Sequence, residues 1–180
     1  MELTRSERVR RALTYQEVDR LPTQFNYTGS MGESMAQHFG VDVADLPERL
    51  DNHLVRLDLT YEPRLSEDGR ARCDWGGAGH DTEDEGSFIR INPLFDDPDL
   101  DQHDWPDPHD PHLLDEAKAL REQVGDSAFV VPNIGWALFE RAWSLRGMEN
   151  VLLEIALDPD YNGELLDRIV DIRLVVIERY

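Results

Sequence analysis

The run Phe129-Val130-Val131-Pro132-Asn133-Ile134, held between Gly125 and Gly135, constrains the fold of this chain more than any other stretch. Its lack of alternation suits a strand buried on both faces, and such strands belong to parallel sheets covered by helices. A helical pattern follows at once, carrying Leu138, Ala142 and Leu145 and ending at Gly147. Upstream, His53 to Leu59 alternates well enough for another strand, and Arg20 to Tyr27 reads as a strand running into the polar loop Thr28-Gly29-Ser30.

Helical patterns fill the intervals. Thr4 and Glu7 have capping-box spacing and open a helix over about residues 4–15. Ser30 to Phe39 forms a second helix, stopped at Gly40. Asp110 as N-cap and Pro111 at the first helical position start a third, with Leu113, Ala117, Leu120 and Val124 on one face. Met148, Val151, Leu152, Ile155 and Ala156 mark a short helix. Asp158-Pro159 then opens a long one with Leu165, Ile169, Ile172, Val176 and Tyr180 along one stripe.

Two intervals differ. Between Tyr61 and Leu94, turn signals at Glu67-Asp68-Gly69, Gly76-Gly77-Ala78-Gly79 and Glu85-Gly86-Ser87 predict a small antiparallel excursion, with Arg70 to Trp75 and Ser87 to Asn92 as its strands. Phe95 to Pro111 is dense in Asp and Pro and is expected to hold no regular element.

Strands joined by long helical crossovers call for an α/β fold with parallel pairing. A (β/α)8 TIM barrel needs about 250 residues. The expectation is therefore that residues 1–180 are the N-terminal portion of one such barrel, with the antiparallel excursion between its second and third strands. A three-strand open sheet is the alternative. Half a barrel leaves sheet edges and apolar helix faces uncovered, so the segment alone is expected to aggregate or form a homodimer.

The chain carries 38 acidic and 18 basic residues, a net charge of −20. That sign opposes binding to nucleic acid or anionic membrane. No apolar run approaches the roughly 18 residues of a membrane helix, and the N-terminus has no signal-peptide pattern, so a cytoplasmic location is expected. Cys73 is the single cysteine, which agrees with a reducing compartment.

Thr4-Arg5-Ser6-Glu7-Arg8-Val9, Glu17-Val18-Asp19-Arg20-Leu21-Pro22, Trp105-Pro106-Asp107-Pro108, Phe139-Glu140-Arg141-Ala142-Trp143-Ser144-Leu145-Arg146-Gly147 and Leu166-Asp167-Arg168-Ile169 follow in an order and spacing that resemble the uroporphyrinogen decarboxylase superfamily. The resemblance implies a (β/α)8 barrel and one of two chemistries, porphyrinogen decarboxylation in haem biosynthesis or methyl transfer from corrinoid proteins. Decarboxylases of this family bind substrate carboxylates through an Arg-Gln-Ala-Gly-Arg motif. Here Tyr27-Thr28-Gly29-Ser30-Met31 occupies that stretch, without either arginine, and the decarboxylase tyrosine falls at Trp143. The resemblance thus points toward the methyltransferase-like members, moving a methyl group between a corrinoid protein or methylated small molecule and an acceptor. Zinc is then the expected cofactor, with ligands in the second half of the barrel and no metal ligand in this segment. Porphyrinogen decarboxylation is the alternative within the family, and a non-catalytic barrel remnant acting as a binding module is the alternative outside enzymes.

Barrel enzymes carry their chemistry at the C-terminal ends of strands. That rule selects Asn26 and Tyr27, Asp58 to Tyr61, and the stretch from Asn133 to Glu140. Glu140 is either an acid/base or substrate contact, or a glutamate placed to favour the helix dipole or pair with Arg141 or Arg146. Asp58 is either an inward functional carboxylate or a solvent-facing residue alternating with Leu57 and Leu59. Asn133 either donates to substrate or satisfies its own loop. Trp136 and Trp143, seven apart, read as barrel packing on one helix or as a cofactor platform, with Trp143 also a candidate substrate contact. His103, His109 and His112 stand among aspartates without a fixed ligand geometry.

Overall fold

The computed structural model describes residues 2–83 and 88–180. In chain order it contains α1 (Arg5–Leu13), α2 (Gly29–Phe39), a 3-10 turn (Val43–Asp45), α3 (Leu46–Arg49), β1 (Leu54–Leu57), β2 (Arg64–Leu65) and β3 (Ala71–Cys73). There follow β4 (Gly79–Asp81), β5 (Ile89–Ile91), α4 (Asp115–Val124), β6 (Phe129–Pro132), α5 (Phe139–Arg146), α6 (Met148–Leu157) and α7 (Pro159–Arg179). Two compact units emerge: Met1–Asp58 with Glu116–Asn133, and Leu59–Asp115 with Ile134–Tyr180. No helix among the described residues is long and apolar enough to cross a membrane.

The first unit is built on the parallel pair β1 and β6, in register from Leu54 opposite Phe129 to Leu57 opposite Pro132. The ladder continues at both ends, where the Phe129 N–H donates to the His53 carbonyl at 2.9 Å and the Asn133 N–H donates to the Leu57 carbonyl at 2.8 Å. Helix α1 is capped by Thr4, whose hydroxyl accepts from the Glu7 N–H, and Gly40 closes α2 in the left-handed region at φ 68°.

The stretch expected as a strand from Arg20 to Tyr27 lies beside β1 without joining it. The His53 N–H reaches the Thr23 carbonyl at 3.0 Å, but the next partners are side chains. Gln24 Oε1 accepts from the Leu54 N–H at 3.1 Å, and the Asn52 amide takes both the N–H and the carbonyl of Phe25, at 2.9 and 3.1 Å. Pro22 has no N–H to give a ladder.

In the second unit β2, β3, β4 and β5 form an antiparallel sheet in sequence order. The start of the expected Ser87 to Asn92 strand and the Glu85-Gly86-Ser87 turn lie outside the described residues. Helices α5, α6 and α7 enclose the core, made of Leu94, Leu100, Ala142, Leu145, Val151, Leu165 and Ile169. Asp158 caps α7 by accepting from the Tyr161 N–H. The buried stripe of α7 runs Asn162, Leu165, Ile169, Arg173 and Val176, so two polar residues share it.

The barrel expectation is corrected. The parallel sheet has two strands, the other sheet is four-stranded and antiparallel, and this mixed α/β arrangement is not a (β/α)8 barrel. A barrel closes only when each strand is bonded on both sides. Here β1 has side-chain and loop partners on the side away from β6, and the chain beyond β6 is helical. Two smaller expectations also fail. The helix expected from Asp110 begins at Asp115, because Asp110 caps a turn through the His112 N–H instead. Trp136 precedes α5 instead of sharing a helix with Trp143.

Candidate functional site

Of the residues singled out above, Asp58, Asn133 and Tyr27 fall in the first unit. Asp58 follows the last residue of β1 and Asn133 the last residue of β6, so parallel register brings them side by side. Asn133 Nδ2 donates to Asp58 Oδ1 at 2.5 Å, and Arg56 Nε donates to Asp58 Oδ2 at 3.0 Å. The carboxylate is half open to solvent, with 48% of its side chain exposed, so it can be approached while both oxygens stay oriented. Asp58 thus faces solvent and is also held by two hydrogen bonds.

Asp58 and Tyr27 line one open cleft of about 320 Å³, together with Gln24, Phe25, Asn52 and Arg56. Tyr27 is fixed from behind by α2. Thr28 caps that helix, and a Cβ at Gly32 would lie 3.0 Å from the Tyr27 ring, so glycine is what lets the helix approach. Gln24, bonded to Leu54, and Asn52, bonded to Phe25, also line the cleft.

Glu140 and Trp143 belong to the second unit. Glu140 stands exposed on the first turn of α5. Neither arginine proposed as its partner pairs with it in an ion pair: Arg141 bonds Asp74 at 2.5 Å and Arg146 bonds Glu154 at 2.8 Å. Trp143 packs against the apolar core and against Trp136, ring centroids 5.0 Å apart. Among the described residues no group of three or more His, Cys, Asp or Glu is arranged to hold a metal ion.

Sequence reasoning missed a buried polar cluster in the second unit. Asp74 Oδ1 accepts from the N–H groups of Gly76 and Ala78, folding the glycine-rich turn around itself. Its Oδ2 receives Arg141 at 2.5 Å and lies 3.2 Å from His80 Nε2. Burial opposes ionisation of Asp74, yet the His80 hydrogen bond and the Arg141 charge outweigh it and hold the carboxyl below its usual range. Arg173 Nη2 donates to the Trp136 carbonyl at 3.0 Å, and its guanidinium lies over the Trp75 ring. Burial and the Arg141 charge bring the Arg173 pKa down to about 10. The available signal was an arginine in the apolar stripe of α7, spaced four from Ile169 and three from Val176.

Compared with known proteins, the chain matches no protein-family model, no curated protein and no solved structure.

Proposed function

We propose that this chain binds a small molecule in the cleft beside Tyr27 and Asp58 and serves methyl transfer of the kind found in the superfamily its segments resemble. The observation that carries the reading is the bond between Asp58 and Asn133, which joins the carboxyl ends of two adjacent parallel strands. Parallel sheets bind ligands outside those ends. A cleft of about 320 Å³ suits one small substrate.

Methyl transfer from a corrinoid protein or a methylated small molecule to a thiol or amine displaces the acceptor's proton. Asp58, oriented by Arg56 and Asn133, is the carboxylate in the cleft that takes it, and the Tyr27 hydroxyl supplies a donor to the ligand. Zinc supplies thiol activation in the resembling enzymes. The described residues offer no ligand set for it, so no step here runs through zinc. Porphyrinogen decarboxylation is less well served. Arg56 is the arginine in the cleft, it is already bonded to Asp58, and a substrate of eight carboxylates would face a chain of net charge −20.

The test is incubation with methylcobalamin and a panel of thiols and amines, following loss of the methyl–cobalt absorption. Asp58→Asn and Tyr27→Phe are each expected to slow turnover by at least about tenfold, at the low end for lost acid–base assistance. Turnover unchanged in both variants overturns the assignment, as does a protein that neither turns over nor shows amide shifts at Tyr27 and Asp58. Shifts at those amides without turnover favour a non-catalytic binding module.

A further inference from the structure

A small cavity in the second unit is lined by Arg141 and Arg173 with Trp75, Gly76, Trp105 and Ile169. Both arginines are more than nine-tenths buried, at 8% and 6% exposed. Arg141 Nε and Arg173 Nη1 have no hydrogen-bond partner among the described residues. Guanidinium N–H groups are strong donors, and leaving one buried and unpaired is costly.

The charge count points the same way. Two guanidinium groups face one carboxylate, Asp74, which also receives His80. Asp74 and Tyr180 both favour the Arg173 cation, yet burial and the Arg141 charge outweigh them, the condition that ordinarily draws in a counter-charge. Size then selects among anions. The cavity offers about 20 Å³ for the centre of a water-sized guest, room for little more than one such guest, and too little for sulfate or phosphate. Gly76 lets the Arg141 guanidinium pack directly against the turn at the cavity wall. A Cβ there would sit 2.7 Å from Arg141 Nη1 and 3.2 Å from its Cζ.

We propose that Arg141 and Arg173 form a binding site for a small monovalent anion, a halide or the carboxylate of a small molecule, roofed by Gly76 and walled by Trp75 and Trp105. A neutral water would accept from the two N–H groups but leave the charge unmatched, so an anion is the better occupant. The site lies wholly in the second unit and does not depend on the methyl-transfer reading.

The experiment is the 35Cl NMR linewidth of sodium chloride in the presence of the full chain, titrated with sodium formate or sodium sulfate. The expected result is excess linewidth that saturates with chloride, is removed by formate, and resists sulfate at equal ionic strength. Formate binding at least tenfold tighter than chloride identifies a carboxylate as the natural occupant, and the reverse order identifies a halide. Arg173→Met is expected to weaken chloride at least tenfold. Excess linewidth that does not saturate, or that sulfate removes as readily as formate, overturns the proposal, as does a folded Arg173→Met protein that keeps the chloride signal. Should Arg173→Met fail to fold, the competition between formate and sulfate on the unaltered chain decides alone.

Discussion

Arg8 in the first unit and Arg173 in the second are buried to a similar degree, at 1% and 6% exposed, yet their surroundings differ. Arg8 is fully engaged. Its Nε and Nη2 grip the two oxygens of Asp19 at 2.7 and 2.9 Å, Nη2 also reaches the Leu3 carbonyl, and Nη1 meets His53 Nε2 at 2.8 Å. Arginine can only donate, so His53 Nε2 accepts and the ring proton sits on Nδ1, where it donates to the Asp51 carbonyl at 2.8 Å. The Asp19 hydrogen bond accordingly raises the Arg8 pKa, whereas burial lowers that of Arg173. A buried guanidinium with every partner supplied by the chain is a structural clamp. One left with an unpaired donor at a cavity wall has capacity for something the chain does not provide.

Removing the clamp is expected to give the largest effect. Arg8→Met keeps the length but leaves His53 Nε2 without its donor in a fully buried position, and frees Asp19 from α1. Charge-assisted hydrogen bonds contribute about 1.5–3 kcal/mol each, and Asp19 can turn to water, so a loss of about 2–3 kcal/mol is expected. Urea unfolding followed by amide exchange of β1 and β6 measures it. A loss under about 0.5 kcal/mol, within the range of ordinary surface substitutions, would mean the clamp contributes no more than a surface pair.

Acid should give the next largest effect. In the first, hydrogen bonds from Arg8 hold the Asp19 carboxyl below its usual range, and those from Arg20 and Arg5 do the same for Asp51. The folded form thus binds fewer protons than the unfolded one. Stability from these groups is present above the unfolded value of about 4 and is lost as pH falls below it. Asp74 follows the same rule in the second unit, but His103 adds an earlier step. Burial lowers its pKa, and its Nε2 is enclosed without a partner. Unfolding lets it take a proton, so the second unit begins to lose stability once pH drops below about 6.5. All four tryptophans, Trp75, Trp105, Trp136 and Trp143, lie in the second unit and report on it alone. Their urea midpoint should start to fall between pH 6.5 and 5, before the carboxylate losses set in near pH 4. His103→Gln should remove the earlier loss. Midpoints that stay level down to pH 4.5 would show that His103 has no part in it.

Legibility in the sequence tracks the same contrast. The α7 stripe, its Asp158 cap, the α2 stop at Gly40 and the β1 and β6 segments were readable because period and capping are local signals. Their parallel pairing also placed Asp58 beside Asn133. What escaped depends on partners distant in sequence. Asn52 holds Phe25 from 27 residues away, and Arg141 finds Asp74 across 67. Neither leaves a periodic trace, so Thr23 to Phe25 read as a strand and Arg141 read as part of a resemblance and as a partner for Glu140. The barrel was inferred from a resemblance and from alternation of strands and helices, and alternation is silent on how many strands bond to one another.

The smallest expected effect is the most discriminating. Arg173→Met deletes one hydrogen bond, to the Trp136 carbonyl, and the stacking of the guanidinium on Trp75. It also deletes a buried charge repelled by Arg141 and an unpaired donor. Replacing a buried ion by an apolar side chain of similar volume is often neutral or stabilising, so the change in stability should stay within about 1 kcal/mol in low salt. A guest that binds only the folded state adds stability in proportion to the logarithm of its concentration. In chloride or formate the unaltered chain should therefore gain on the variant as the anion is raised. A structural Arg173, by analogy with Arg8, would instead cost about 2–3 kcal/mol at every anion concentration. Tryptophan-monitored urea midpoints of the two proteins, measured side by side across the anion series, distinguish a constant gap from a growing one.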